Sequence, residues 1–343
     1  MQLSDRKKKI LQTVVDTYIE HAVPISSKAI NEIAFDEISS ATIRSELATL
    51  EDMGFLIKPH TSAGRVPSSL AYKFYVDNLL DVTDLRKEEV KHIEQYFEGQ
   101  KKDIETVVKS AAKVLSDMTD YTSLAVVPSI KDEIVEKVKL IKIDDRKAFL
   151  LIILGNGTVK NTTVDLPIKA NDTSVETAGN LLNQMLSHKK ISQIASTTIE
   201  EISAVAGEAI KEYTSLFRAA IDFIKIFTRD DNVEVEGREK ILKFPEYSDV
   251  RKANEFMDML NDHKTLRHAT ENTEDGIKLV VKIGGEDEGV PEGCAMIVAN
   301  YNIGGKNLGG TGVIGPDRMN YGKVISVIKC INNILKDINE KEK

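Results

Sequence analysis

The sequence predicts an α+β chain. Three observations carry this. Apolar residues recur at helical spacing over the first eighty positions, the period changes to two from Ser123, and strand patterns return after a helical block.

The first helix places Ile10, Leu11, Val14, Val15, Tyr18 and Ile19 on one face and Lys9, Thr13, Asp16 and Glu20 on the other, with Ser4 as its N-cap. Pro24 ends the connection to a short second helix carrying Ile25, Ala29, Ile30 and Ile33, with Ser26 near its cap. Asp36 to Ser39 reads as a turn. Ser39 or Ser40 caps a third helix whose inward residues are Ile43, Leu47 and Leu50, and Gly54 stops it. Phe55 to Pro59 reads as a strand and Val66 lies on its return. His60 to Gly64 forms the turn, with Gly64 free to take positive φ. Ser68 to Leu80 reads as a further helix. Three helices followed by a β-hairpin is the order of a winged helix-turn-helix, assigned to residues 1–82.

Residues 83–122 read as a charged helical linker, striped by Leu85, Val90, Ile93 and Phe97 and then by Ile104, Val107, Val108, Ala111 and Leu115. Strands are expected at Leu124–Val127, Ile134–Ile143 and Ala148–Leu154. Gly155-Asn156-Gly157 makes a hairpin turn into Thr158–Leu166. Helical patterns follow at Val175–Leu186, Ile202–Phe227 and Val250–Leu260, with short strands at Val233–Val235 and Ile241–Phe244. Lys278–Ile283 and Cys294–Tyr301 resume the strands, and Tyr321–Ile338 closes with a helix. The expected partition is one α+β domain of residues 123–170 and 270–343, interrupted by a mainly helical insertion at 171–269. Strands near 124–166 are expected to pair with strands near 278–314.

The chain has 343 residues, 41% hydrophobic and 29% charged, with a net charge of −8. That balance is ordinary for a globular protein of two or three domains. The first ten residues hold no apolar signal region, and the longest apolar run, Ala148 to Leu154, is far too short for a membrane span. A cytoplasmic protein without membrane contact is expected. Cys294 and Cys330 fit neither a metal-ligand spacing nor a disulfide framework and read as core thiols.

Local charge is more informative than the total. Residues 1–80 hold nine Lys/Arg against ten Asp/Glu, yet Met53 to Val76 contains Lys58, Arg65 and Lys73 with no acid. A near-neutral domain can still present a cationic face to phosphates. Ser39-Ser40-Ala41-Thr42-Ile43-Arg44-Ser45 opens the third helix with small polar residues and one Arg. Small side chains let a helix sink into a major groove about 12 Å wide, and Arg paired to guanine is the commonest base-specific contact. The candidate DNA contacts are therefore Ser39, Ser40, Thr42, Arg44 and Ser45, with Lys28 on the preceding helix. Lys58, His60, Thr61, Ser62 and Arg65 join them as candidates for phosphate, sugar or minor-groove contact from the hairpin. Gly310-Thr311-Gly312-Val313-Ile314-Gly315 matches a dinucleotide fingerprint in letters only. Pro316 follows at once and the segment alternates like a strand. The histidines show no zinc spacing, and no catalytic constellation, metal site or cofactor motif is read.

On these residues the chain resembles the HrcA family of heat-inducible transcription repressors. The resemblance rests on Ser39 to Arg44, Pro59-His60-Thr61-Ser62-Ala63-Gly64-Arg65-Val66-Pro67, Tyr75-Val76-Asp77, and Gly315-Pro316-Asp317-Arg318-Met319-Asn320-Tyr321. It covers nearly the whole chain and is weakest at 85–120 and 170–270. It implies a winged helix, a GAF-like domain and a dimerisation domain inserted into it. It also implies a homodimer bound to an inverted-repeat operator, the CIRCE element, upstream of chaperone operons, with the chaperonin GroEL-GroES as modulator. Ser45 and Ser27 stand where the family pattern leads one to expect Asn and Gly. The rival expectation is a regulator gated by a small molecule held in the GAF-like domain.

Overall fold

The computed structural model describes residues 3–35, 38–60, 63–98, 104–127, 130–155, 157–166, 171–197, 213–227, 233–270, 276–303 and 306–341. The chain is a mixed α and β protein. It divides into two compact units, one formed by Met1–Pro128 with Val233–Lys343 and the other by Ser129–Asn232.

The first unit opens with α1 (Asp5–His21), α2 (Ser27–Ala34) and α3 (Ser40–Asp52). Serine caps each of them. Ser4 Oγ accepts from the Lys7 amide, Ser26 Oγ from Ala29 and Ser39 Oγ from Thr42, each satisfying a donor the helix itself leaves free. Gly54 at φ +81° ends α3 and leads into β1 (Leu56–Ile57), which pairs antiparallel with β2 (Val66–Pro67). Ser68 then caps α4 (Ser69–Asn78) and its hydroxyl donates to the Gly54 carbonyl at 2.7 Å. The core beneath these elements is Ile10, Leu11, Val14, Ile30, Ile43, Leu50, Phe55 and Tyr72, all at most 2% exposed.

After α5 (Lys87–Phe97) and α6 (Ile104–Thr119), the unit builds a five-stranded antiparallel sheet. Its strands are β3 (Thr122–Val126), β7 (Val233–Glu236), β8 (Gly276–Ile283), β9 (Cys294–Ile303) and β10 (Lys306–Pro316), in the order β7-β3-β10-β9-β8. Alternation along β9 assigns its two faces. Ile297, Ala299 and Tyr301 belong to the core shared with α6 and the C-terminal helix, Tyr321–Lys341. Met296 and Val298 belong to a second core with Tyr247, Phe256, Leu260 and Leu266. The last three lie on Val250–Asn261 and His263–Ala269. Gly310 to Gly315 lies within β10, so the glycine-rich run is a strand.

The second unit is a three-stranded antiparallel meander, β4 (Val135–Lys142), β5 (Lys147–Leu154) and β6 (Val159–Asp165). Helices Asp172–Leu186, Ile191–Ser196 and Thr214–Phe227 share its core through Leu182, Ile191, Phe217 and Ile221.

Four sequence expectations change here. Of the strands near 124–166, only β3 pairs with the C-terminal strands; β4 to β6 pair with one another. Alternation reveals which face of a strand is buried but not its partner, and short connections favour local pairing. The insertion accordingly runs from 129 to 232 rather than 171 to 269, and Val250–Asn261 packs on the five-stranded sheet. Residues 104–119 are no linker, because Val107, Ala111 and Leu115 are fully buried in the sheet core. Ile241 to Phe244, expected as a strand, lies at the end of a 3₁₀ turn spanning Arg238–Lys243. The part of the expected helix at 202–212 lies outside the described residues.

Candidate nucleic-acid interface

Helix α3 turns Ile43, Leu47 and Leu50 inward and leaves Ala41, Arg44, Ser45 and Ala48 exposed. These four positions recur at helical spacing and form one outward stripe. Three of the side chains are small, and the fourth is a guanidinium. Among the described residues Arg44 has no ion-pair partner, and Lys58 has none either. Ser39 lies at the start of the stripe, where its hydroxyl caps the helix and sits 3.0 Å from Thr42 Oγ1. These two hydroxyls hold the helix N-terminus as well as being candidate contacts. Ser40 is half-buried. Lys28, well exposed on α2, lies 3.7 Å from Glu32 one turn on, a solvent pair of little strength.

Other basic residues of this region are engaged within the fold. Arg6 and Lys7 reach Glu46 of α3 at 3.5 and 2.9 Å, and Lys9 lies 4.9 Å above the Phe35 ring. Of the three cations in the acid-free stretch, Lys73 is bound to Asp287 at 3.0 Å and Arg65 to Glu51 at 2.6 Å. The expectation that Arg65 offers a free cation at the hairpin tip is therefore corrected: its side chain is only 15% exposed. Lys58 and the exposed His60 remain on the hairpin side. Thr61 and Ser62 lie outside the described residues.

Gly64 is fixed by close approach. A Cβ there would lie 2.3 Å from the Ile25 carbonyl oxygen. The neighbouring Arg65 amide donates to that oxygen at 2.8 Å, and the Ile25 amide returns a bond to Arg65 O at 3.0 Å. A side chain at 64 would break the bridge that holds the α1–α2 connection against the hairpin.

A second cluster was legible only as the motif Gly315 to Tyr321. Tyr321 is buried beside Tyr72 and Tyr75 of α4, with ring centroids 6.2 and 6.5 Å apart. Its hydroxyl donates to the Asp317 carbonyl at 2.5 Å. Arg318 forks onto Glu246 and lies over the Phe244 ring at 5.6 Å. Burial, with the Glu246 carboxylate as the next cause, pushes Asp317 up to about 7. This segment seats α4, and with it the three-helix module, on the five-stranded sheet. A cavity of ≈ 760 Å³ lies at the same junction, lined by Asp16, Tyr75, Tyr121, Asn320 and Lys323 among others. Among the described residues no group of three His, Cys, Asp or Glu could hold a metal ion. No helix among them is long and apolar enough to cross a membrane.

Comparison with known proteins gives the class. Residues 105–325 match the family model described as HrcA protein C terminal domain. A heat-inducible transcription repressor HrcA of Brevibacillus brevis is 34% identical over 327 residues, covering 95% of each chain. The protein of that name from Ruminiclostridium cellulolyticum is 34% identical over 340 residues, covering 97% of this chain and 96% of its own. A solved structure titled only as a hypothetical protein superposes with a TM-score of 0.70 at 24% identity, covering 99% of both chains, and so shares the fold. The class is that of a transcription repressor, not an enzyme. The chain belongs to the HrcA family.

Proposed function

We propose that the chain represses heat-shock operons by occupying an inverted-repeat operator as a homodimer. The observation that carries this is the outward stripe Ala41, Arg44, Ser45 and Ala48 on a serine-capped helix, with a β-hairpin beside it. On this reading residues 1–82 are a winged helix-turn-helix. Helix α3 enters the major groove, Arg44 reads a base edge, and Ser39, Ser40, Thr42 and Ser45 bond to phosphates or bases near the helix N-terminus. Lys58, His60, Thr61 and Ser62 contact the backbone from the wing, and Lys28 from α2. Two copies related by a two-fold axis match the two halves of the repeat.

The second unit supplies the dimer contact. Its sheet buries one face under helices and leaves Ile141, Phe149 and Val159 at 43%, 44% and 50% exposure on the other. Ile141 and Phe149 are direct cross-strand partners and form one apolar patch. A sheet face of this kind favours a protein partner. The five-stranded sheet domain is the GAF-like part implied by the family. The family also implies cytoplasmic CIRCE binding and GroEL-GroES as the modulator, so that heat lifts repression when folded dimer runs short. The non-local pairing of β3 with β10 across a long insertion supports this, because such pairing is slow to form.

The test is a gel shift on a fragment carrying the inverted repeat against a scrambled fragment, with protein refolded in the presence and absence of chaperonin. Preferential shift of the repeat, with recovery raised by chaperonin, is expected. Equal shift of both fragments overturns DNA readout. Recovery unaffected by chaperonin, with binding restored by a cell metabolite, favours the ligand-gated alternative.

A further inference from the structure

Glu51 sits seven residues beyond Arg44, two helical turns along the same side of α3. On the DNA-binding reading, which this inference rests on, that side faces phosphates. A bare carboxylate there would repel them at close range. It is not bare. Arg65 Nη2 lies 2.6 Å from Glu51 Oε2, and the Arg is the more buried partner. The Arg65 backbone is fixed from the other side by its two hydrogen bonds to Ile25. Gly64 lets those chains meet by presenting no side chain. Arg65 thus joins three pieces: the end of α3, the return strand of the hairpin, and the segment leading into α2. Among the described residues its Nε is buried without a hydrogen-bond partner, and Glu51 is the guanidinium's ion-pair partner.

We infer that Arg65 is a positioning residue: paired with Glu51, it clamps the hairpin against α3 and masks a carboxylate on the DNA-facing side, and it does not itself contact DNA. Position 65 reads from sequence as one more basic residue of the wing. The distinction has measurable consequences. A phosphate ligand contributes to the salt dependence of binding, whereas a clamp does not. The loss of a masking cation can also be repaired at its partner, because Glu51→Gln removes the carboxylate that Arg65→Gln leaves bare.

The experiment titrates full-length protein against operator and scrambled DNA at several salt concentrations. The variants are Arg65→Gln, Glu51→Gln, the double variant, and Lys58→Ala as the phosphate-contact control. Arg65→Gln is expected to lose about tenfold in operator affinity, the scale of one charge-assisted hydrogen bond. Its affinity for scrambled DNA should fall too, though by less, because the bared Glu51 carboxylate repels the phosphates of either DNA. Simple destabilisation would instead not be relieved by Glu51→Gln. Adding Glu51→Gln is expected to recover operator affinity to within about threefold of the unsubstituted chain. A salt slope about 0.9 lower in Arg65→Gln that Glu51→Gln does not restore makes Arg65 a phosphate contact and overturns the inference. Unchanged operator binding by Arg65→Gln overturns it as well. If Arg65→Gln does not fold, the double variant decides, since it must bind operator with an unaltered slope. Should the unsubstituted chain show no operator preference, the DNA reading fails separately. The clamp is then judged by amide exchange at Ile25 and Arg65, which must quicken in Arg65→Gln; unchanged exchange overturns it.

Discussion

Replacing Asp317 by Asn should stabilise the junction between α4 and the sheet, and should do so increasingly as pH rises. The carboxyl lies within electrostatic reach of Tyr72 and Tyr321, and burial followed by Glu246 raises it from 3.8 to about 7. A raised carboxyl means that the folded state holds the proton more tightly than the unfolded chain. Its favourable contribution is complete below the unfolded value and is lost as pH climbs through the folded one. The shift spans about three pH units, and each is ~1.4 kcal/mol, so the ceiling is roughly 4 kcal/mol above pH 8. Between pH 5 and pH 8 the loss is about 2–3 kcal/mol on the same arithmetic. Asn has the same shape, can still accept the Arg318 amide, and titrates nowhere in this range. Thermal melts of the full chain and Asp317→Asn at pH 5 and pH 8 read the difference. The variant's advantage should grow by several degrees from the lower to the higher pH, since 1 kcal/mol moves Tm by roughly 2–4 °C in a domain of this size. An advantage that is flat with pH, or that shrinks, would refute the reasoning.

Arg44→Ala should cost about 1–3 kcal/mol on the operator and lower the operator-to-scrambled ratio, measured by titration of both DNAs. Lys58→Ala should weaken both DNAs and reduce the salt slope by about 0.9, read from log–log plots of affinity against salt. Phe149→Asp, on the exposed sheet face, should leave the monomer folded and shift the dimer to monomer at micromolar concentration in light scattering; an unchanged mass would place the dimer contact elsewhere.

The first eighty residues were readable because their signals are local. A serine before each helix, Gly54 after α3 and the inward set Ile43, Leu47 and Leu50 each depend on neighbours a turn away, and the structure places them as read. The fate of Arg65 was not readable. Whether a basic residue faces solvent or a carboxylate fourteen positions earlier depends on how the hairpin docks on α3, which no periodicity encodes. The same holds for the strands. β4 and β5 alternate in burial and β3 is buried throughout between β7 and β10, but which sheet each strand joins follows from packing and not from its period. The segment Gly315 to Tyr321 stood out by its letters alone. Its role came from packing, where Met319 and Tyr321 fill the core and Arg318 holds Glu246.

Footprinting of the purified protein on DNA from its own chaperone promoters tests the central claim most directly. Two patches of protection, symmetric about the centre of an inverted repeat and lost together in Arg44→Ala, are the predicted result. Protection that is absent, that covers a single half-site, or that follows no repeat would contradict it.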